Sequence, residues 1–189
     1  MSMIPNGTPL AGKLVRLRGV ALEDTRDHLE LFADNEAALF MDVTPPPRSE
    51  AAIDDWTSWL ARKIPTGPNR FFQIERLADG EHVGGLRTND ADPAAGAFSY
   101  GLQILQKHRG RGYARDAITV CLRFHCMTLR YESAHVYVFE NNLASIRLHE
   151  QIGFTLEGRQ RPSAFYRGEL LDLLRYSIAK ESFLKLHGA

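Results

Sequence analysis

The period of the hydrophobic positions changes along the chain and predicts strands that alternate with helices. Residues 13–19 set two leucines among charged neighbours and predict a strand, and residues 22–34 place apolar residues near one face of a helix. Three prolines at 45–47 break the chain, and Ser49 is a suitable N-cap for a second helix. The apolar positions of this second helix are Ile53, Trp56, Trp59 and Leu60.

The middle of the chain predicts an antiparallel meander of three strands. Residues 70–77 and 82–88 are rich in apolar and aromatic residues, and the connection between them contains Asp79-Gly80, a pair typical of hairpin turns. Residues 97–105 form the third predicted strand.

The second half returns to a helical period. Residues 112–129 carry apolar side chains at three-four spacing, which predicts an amphipathic helix on a sheet. A Val- and Tyr-rich strand at 133–139 and a short helix at 143–152 follow, and two more strands begin at Phe154 and at 170. We therefore expect a single α+β domain over residues 1–189, with about seven mixed, mostly antiparallel strands and about four helices. Residues 1–12 and 180–189 are expected to be peripheral tails.

Composition removes several classes of protein. The chain has 189 residues, enough to bury a core without a metal or disulfide staple. Its 23 Lys and Arg balance 23 Asp and Glu, so no overall field attracts nucleic acid or an anionic membrane. No stretch of about 20 apolar residues predicts a membrane span, and the first ten residues lack the pattern of a secretory signal. We expect a cytoplasmic protein.

A basic, glycine-containing turn is the densest chemical signal. Residues 107–115 (Lys-His-Arg-Gly-Arg-Gly-Tyr-Ala-Arg) lie between a predicted strand and a predicted helix. Free amides and the helix dipole favour an anion there, so we interpret the turn as a phosphate site, with a solvated basic turn as the alternative. A third glycine of the dinucleotide fingerprint is missing, and the chain contains no Gly-Lys-Ser/Thr, which disfavours Rossmann and P-loop enzymes.

The spacing Ile104-x4-Arg109-x2-Gly112-x-Ala114 resembles the coenzyme A pyrophosphate motif of the GCN5-related N-acetyltransferase (GNAT) family. A second segment, which starts at Asn142-x2-Ser145 and ends in Gly-Phe at 153–154, is similar to the family's later helix. The run from 166 to 172 resembles the terminal strand of its ribosomal-protein-alanine acetyltransferase (RimJ/RimL) subgroup. The resemblance extends over about residues 14–178.

The resemblance implies a set of coenzyme-binding residues. The strand before the motif would hold the pantetheine arm with backbone groups of Gln103, Ile104 and Leu105. The pyrophosphate would lie on the turn made by Arg109, Gly110, Arg111, Gly112, Tyr113 and Ala114, and Lys107 or Arg111 would meet the remaining phosphates. Asn142 and Ser145 would line the same cleft, although helix capping alone also explains Asn142.

Two residues are candidates for catalysis. His149 occupies the position of a family tyrosine that protonates the departing thiolate, and a packed helical histidine is the alternative. Ser99 stands where the subgroup often has a glutamate base, and serine is a poor base. A weak base suits an amine of low pKa, such as a peptide N-terminus. Glu75, Asp90 and Glu140 remain alternative bases.

The resemblance therefore implies an N-acetyltransferase that moves an acetyl group from acetyl-CoA to a primary amine, by direct attack in a ternary complex. A peptide N-terminal α-amine is the preferred acceptor. The alternatives are a polyamine, an aminoglycoside or an amino-acid-like acceptor, or a non-catalytic coenzyme A sensor. We expect no metal, no nucleic-acid or membrane partner and, as in similar proteins, a homodimer. Four aromatic residues either shape the acceptor pocket or belong to the core: Trp56, Trp59, Phe71 and Phe72.

Overall fold

The computed structural model of the chain describes residues 10–33, 48–63, 66–166 and 169–188. Several predicted features lie outside these residues: most of the N-terminal tail, the proline break at 45–47, and residues 167–168 of the run that resembles the RimJ/RimL terminal strand.

The described residues form seven strands and five helices. The strands are β1 (Val15–Arg18), β2 (Phe71–Arg76), β3 (His82–Asp92), β4 (Ala97–Ile104), β5 (Ser133–Phe139), β6 (Thr155–Tyr166) and β7 (Glu169–Ala179). The helices are α1 (Thr25–Ala33), α2 (Glu50–Arg62), α3 (Tyr113–Arg123), α4 (Leu143–Ile152) and α5 (Lys180–His187). The predicted mixed, mostly antiparallel α+β sheet is confirmed.

The sheet has the order β1-β2-β3-β4-β5-β7-β6, and β4–β5 is the parallel pair between antiparallel neighbours. This parallel pair is short: residues 97–99 face Ser133 to His135, and no pairing follows. In contrast, β4 pairs with β3 as far as Ile104, and β5 pairs with β7 as far as Phe139. The two central strands therefore separate halfway along their length.

The core lies between the sheet and α3. Ala117, Ile118 and Cys121 of α3 are fully buried, as is Phe98 of β4. After Arg123 the helix continues into a π turn at Phe124–Thr128, so the predicted long helix at 112–129 has two parts. Residues 180–187, expected as part of a peripheral tail, form α5, and its Phe183 is fully buried in the core.

A buried chain of polar side chains fixes α1 and α2 on the sheet. Thr57 donates its hydroxyl proton to the carbonyl of Ile53 (2.8 Å), so its oxygen accepts from Nδ1 of His28 (2.7 Å). Nε2 of His28 then accepts from the Gln73 amide, and Oε1 of Gln73 accepts from Nε2 of His82 (2.6 Å). This direction of the hydrogen bonds requires the His28 imidazole to be neutral, whereas His82 only donates from Nε2.

We predict that stability falls as the pH is lowered from about 6.5 to about 4. Burial lowers the pKa of His28 and of His82 to about 4, whereas unfolded histidines have a pKa near 6.5. Between these values the unfolded state takes up protons that the folded state does not, on the order of 1.4 kcal/mol per pH unit for each group. Urea unfolding across this range should show the loss, and His82→Gln should reduce its slope. An unchanged slope in the variant would contradict the assignment.

Candidate functional site

The separation of β4 from β5 opens a cleft of about 500 Å³, called here the main cleft. Its walls are residues 100–104 of β4, Val136 and Tyr137 of β5, residues 141–145 at the start of α4, and the side chains of Arg109 and His149. Along this stretch, the backbone edges of β4 and β5 that face each other are not paired with each other. An extended chain that carries amide groups can therefore bind between the two strands.

The predicted phosphate turn lies at the N-terminus of α3. Gly110 and Gly112 have φ of +75° and +84°, which L side chains rarely adopt, and both residues are exposed. A Cβ added at Gly110 would meet nothing within 4 Å, so the space beside this residue is open to a ligand. Arg111 is exposed and makes no ion pair within the described ranges, whereas Lys107 pairs with Glu30 (2.8 Å).

The other predicted turn residues have distinct positions. Nε of Arg109 donates to the Ile104 carbonyl (3.2 Å) and links the turn to the end of β4. Tyr113 is buried, and its hydroxyl accepts from Arg76 (3.4 Å), so Tyr113 can offer only its backbone to a phosphate. Ala114 is half-buried behind the turn. Leu105 is buried, does not line the main cleft, and donates its amide to β3.

Helix α4 carries the polar wall of the main cleft. The side chain of Asn142 accepts from the Ser145 amide (3.1 Å), so this residue is both the N-cap of α4 and a lining residue. Ser145 lines the cleft one turn before His149. The imidazole Nδ1 of His149 donates to the Ser145 carbonyl (2.8 Å), which leaves its Nε2 as an acceptor.

His149 has the properties of a buried proton acceptor. Its Nε2 has no hydrogen-bond partner among the described residues, and the side chain is 3% exposed. Burial lowers the pKa of the imidazole, which keeps the ring neutral near pH 7. An acid role for His149 therefore requires that the ring first receives a proton.

Ser99 and the alternative bases lie apart from the main cleft. The Ser99 hydroxyl is buried between β3 and β4 and donates to Asp90 (3.0 Å). Glu75 accepts from Arg16 (2.7 Å) and Arg18 (2.6 Å). Glu140 accepts from Arg159 (2.8 Å) and from the Asp172 amide (3.0 Å). The structure thus brings together Gln103, Ile104, Arg109, Asn142, Ser145 and His149, but not Ser99.

Tyr100 is a cleft residue that the sequence analysis missed. Its ring centroid lies 5.9 Å from that of His149, and its buried hydroxyl has no hydrogen-bond partner in the described ranges. Buried hydroxyls are normally paired, so Tyr100 is a donor available on this wall. The alternation of β4 places it on one face, but only the parting of β4 from β5 shows that this face lines a cleft.

A smaller cavity of about 110 Å³, called here the side cavity, adjoins the main cleft. Residues 101–103 of β4 line both spaces. The remaining walls of the side cavity are His28, Leu31 and Phe32 of α1, Trp56 of α2, Phe71 of β2 and residues 85–87 of β3. Gln103 donates its side-chain amide to the Leu31 carbonyl (2.9 Å) at this junction.

The four aromatic residues predicted to belong to either the acceptor pocket or the core lie in three different places: the side cavity, the core and the surface. Trp56 and Phe71 line the side cavity, with ring centroids 5.5 Å apart. Phe72 belongs to the core. Trp59 is 54% exposed and packs under Lys63, with the ammonium 4.3 Å from its ring.

Other kinds of site have little support in the described part of the chain. No group of three or more His, Cys, Asp or Glu side chains there is placed to hold a metal ion. Cys121 and Cys126 are buried free thiols, and burial raises the pKa of both, that of Cys126 to about 11, which disfavours a thiolate nucleophile. Among the described helices, none has the length and apolar character needed to cross a membrane.

Comparison with known sequences gives a family that agrees with this geometry. Residues 15–155 match the description of an acetyltransferase (GNAT) domain. The SPbeta prophage-derived uncharacterized N-acetyltransferase YokL of Bacillus subtilis (strain 168) is 32% identical over 179 residues, which cover 94% of this chain and 96% of that protein. The spermidine N(1)-acetyltransferase of Escherichia coli (strain K12) is 22% identical over 173 residues, 92% of this chain and 90% of that protein.

Solved structures show the same fold. The spermidine N-acetyltransferase of Vibrio cholerae, in complex with CoA and spermine, superposes with a TM-score of 0.79 at 20% identity and covers 90% of this chain and 98% of that one. RimL, a ribosomal L7/L12 alpha-N-protein acetyltransferase in complex with coenzyme A, superposes with a TM-score of 0.77 at 17% identity, with 90% and 97% covered. The chain therefore belongs to the GNAT family and is an N-acetyltransferase with acetyl-CoA as its co-substrate.

Proposed function

We propose that the chain acetylates an amine of low pKa, and in the first place the α-amine of a peptide N-terminus. One observation carries this proposal: the described walls of the main cleft and of the side cavity contain no Asp or Glu side chain. The three alternative bases, Glu75, Asp90 and Glu140, all hold other partners outside both spaces.

The cost of deprotonating the acceptor explains why the missing carboxylate matters. An α-amino group has a pKa of about 7.7–8, so its neutral form costs about 1 kcal/mol at pH 7. A lysine ε-amine has a pKa of about 10.4, and its neutral form costs roughly 4.6 kcal/mol. A site without a strong base therefore favours the α-amine.

The chain's own residues fit the co-substrate. The backbone amides of residues 110–114 and the exposed Arg111 would hold its phosphates, and the open edge of β4 at 103–104 would hold the pantetheine arm. The Arg109 amide instead donates to the Gln106 carbonyl (3.3 Å). Acetyl-CoA supplies the activated thioester. This arrangement would position the acyl group at residues 101–103, which line both the main cleft and the side cavity.

His149 is the candidate for proton transfer between the acceptor and the leaving sulfur. As the amine nitrogen bonds to the carbonyl carbon, the neutral Nε2 takes one proton from that nitrogen, directly or through a water. The same proton passes to the sulfur as the C–S bond breaks, so the products are an N-acetyl amide and a free thiol. The lone pair of Nε2, fixed by the Ser145 carbonyl on the other side of the ring, suits this order of events.

A small-molecule amine is the second candidate acceptor. Two relatives, from Escherichia coli and Vibrio cholerae, are spermidine acetyltransferases, and they favour a polyamine for this chain as well. RimL acts on a protein α-amine and favours the first candidate and membership of the RimJ/RimL subgroup. The shared fold does not separate the two classes, because identities of 17–22% establish the architecture alone.

The acceptor class is tested by thiol release from acetyl-CoA. We expect thiol release with peptides that have a free N-terminus. We expect little release with control peptides whose N-terminus is blocked, so that a lysine side chain supplies the amine. Spermidine, an aminoglycoside and free amino acids complete the panel. Preference for spermidine would contradict the peptide assignment, and binding of acetyl-CoA without release from any amine would support a sensor. Light scattering of the same preparation tests the expected homodimer.

Arg111→Glu should weaken acetyl-CoA binding about tenfold or more, because a carboxylate would replace a guanidinium beside the phosphates. Calorimetry of acetyl-CoA measures the dissociation constant. Arg147→Glu is the control, since Arg147 is equally exposed but lies on α4 and does not line the main cleft. Equal affinities of Arg111→Glu and the parent chain would refute the phosphate site.

His149→Gln should lower kcat by about 10²-fold or more and leave acetyl-CoA affinity unchanged, because an amide cannot relay a proton. In the parent chain, kcat should not fall as the pH rises from about 7 to about 9, since burial lowers the pKa of His149 and keeps Nε2 unprotonated over that range. A decline over that range would instead indicate that His149 starts the cycle as an acid. Full activity of His149→Gln would contradict a role of His149 in proton transfer.

A further inference from the structure

The side cavity has an aromatic wall. The rings of Phe32 and Trp56 meet edge to face with centroids 5.3 Å apart, and Phe71 meets Trp56 in the same way at 5.5 Å. Leu31 and Leu102 add aliphatic surface. The imidazole of His28 stands 4.9 Å from Trp56 and is neutral, because its two nitrogens take part in the buried chain of hydrogen bonds.

The size of the side cavity limits what enters it. Pockets for drug-sized ligands are about 300–1,000 Å³, and the side cavity is about 110 Å³. It therefore accommodates one compact group, comparable to a single amino-acid side chain, rather than a whole ligand. Since residues 101–103 form a wall shared with the main cleft, such a group would lie directly beside the acyl donor.

Among the described residues, the side chain on the wall of the side cavity that is charged at every pH of interest is Arg87. Arg87 is exposed, and its guanidinium makes no ion pair or hydrogen bond within those residues. A second guanidinium, that of Arg48, lies 4.8 Å from the centre of the Phe32 ring. An arginine of this kind matches a carboxylate through two parallel hydrogen bonds.

None of the described carboxylates of α1 and α2 lines the side cavity, and two of them have partners elsewhere. On α1, Glu30 pairs with Lys107 (2.8 Å). On α2, Asp54 accepts from the hydroxyl of Thr25 (2.7 Å). Neither carboxylate lines the side cavity, so the described walls offer no counter-charge to a second ammonium group. An extended polyamine placed there would lose hydration without an ion pair.

We propose that the side cavity seats the acceptor, and that the acceptor is an amine whose nitrogen-bearing carbon carries one compact apolar side chain and lies beside a carboxylate held by Arg87. This inference rests on the proposed function and narrows it. The chemistry is shared by two sources. A peptide that begins with an apolar residue followed by an acidic one has the α-amine of low pKa, whereas a free apolar amino acid belongs to the small-molecule alternative, because its own carboxylate raises the pKa of its amine.

Matched acceptors test the carboxylate. The first pair is leucine and leucinamide, which differ in the charge next to the amine. Because that charge also raises the pKa of the leucine amine, kcat/KM in this pair is calculated for the neutral amine. The second pair is the C-terminally amidated dipeptides leucylglutamate and leucylglutamine, which differ in the charge of the second side chain. If the acceptor is a free amino acid, we expect the effect in the first pair, and if it is a peptide, in the second. In that pair, kcat/KM for thiol release should be about tenfold or more higher for the acid than for the amide, and higher than for spermidine.

The variant Arg87→Gln should bring the ratio within that pair to about one and leave the affinity for acetyl-CoA unchanged. Its matched control is Arg26→Gln, an exposed arginine of α1 that does not line the side cavity. The control should keep the full ratio. Far-ultraviolet circular dichroism and acetyl-CoA calorimetry confirm that both variants are folded.

The outcomes separate this inference from the proposed function. Faster turnover of spermidine than of either acid, equal turnover within both pairs, or an unchanged ratio in Arg87→Gln would each overturn the acceptor class and leave the N-acetyltransferase intact. Absence of thiol release from every amine would overturn the proposed function together with the inference. A preference confined to the first or the second pair identifies the free amino acid or the peptide as the source.

Discussion

The parting of β4 from β5 is the constraint on which the site depends. A sheet normally satisfies the backbone groups of neighbouring strands, and here that pairing stops after three residues. On its other side β4 is held tightly, because a Cβ at Gly84 of β3 would overlap the carbonyl oxygen of Gln103. β5 is likewise fixed by β7 along its full length. The opening is therefore a fixed feature of the sheet, and it offers a backbone edge at the level where residues 101–103 separate two cavities.

Two helices, α3 and α4, place different chemical groups at the two ends of the main cleft. Helix α3 presents the backbone amides of Gly110 and Gly112 at one end, where a phosphate is favoured. At the other end, α4 turns Nδ1 of His149 toward the Ser145 carbonyl, so the protein's own backbone selects the tautomer. In the proposed function, the anion site would anchor a long ligand, and the lone pair of Nε2 would lie where protons move.

Sequence reasoning succeeded where the signal is local. The turn at 109–112, the N-cap at Asn142 and the order of strands and helices all follow from residues near one another in the chain. Ser99 shows the limit of this approach. The family resemblance selected it by its position in the sequence, but β3 extends to Asp92, beyond the predicted end of that strand. The additional residues at the end of β3 therefore place a carboxylate oxygen of Asp90 3.0 Å from the Ser99 hydroxyl oxygen. Such pairing across a hairpin depends on register, which composition and period do not specify.

The acceptor side was less predictable because its character is set by where distant charges are directed. The sequences of α1 and α2 contain carboxylates close to the aromatic residues. In the folded chain, however, Glu30 of α1 pairs with Lys107, and Arg87 of β3 makes no ion pair in the described residues. Beneath the cavity, burial holds His28 neutral, so the floor contributes no charge at pH 7. An apolar recess with a cationic rim is the result. Because the same fold serves a spermidine and a protein α-amine acetyltransferase, the architecture does not distinguish acceptors, and we propose that the sign of that rim does so in this chain.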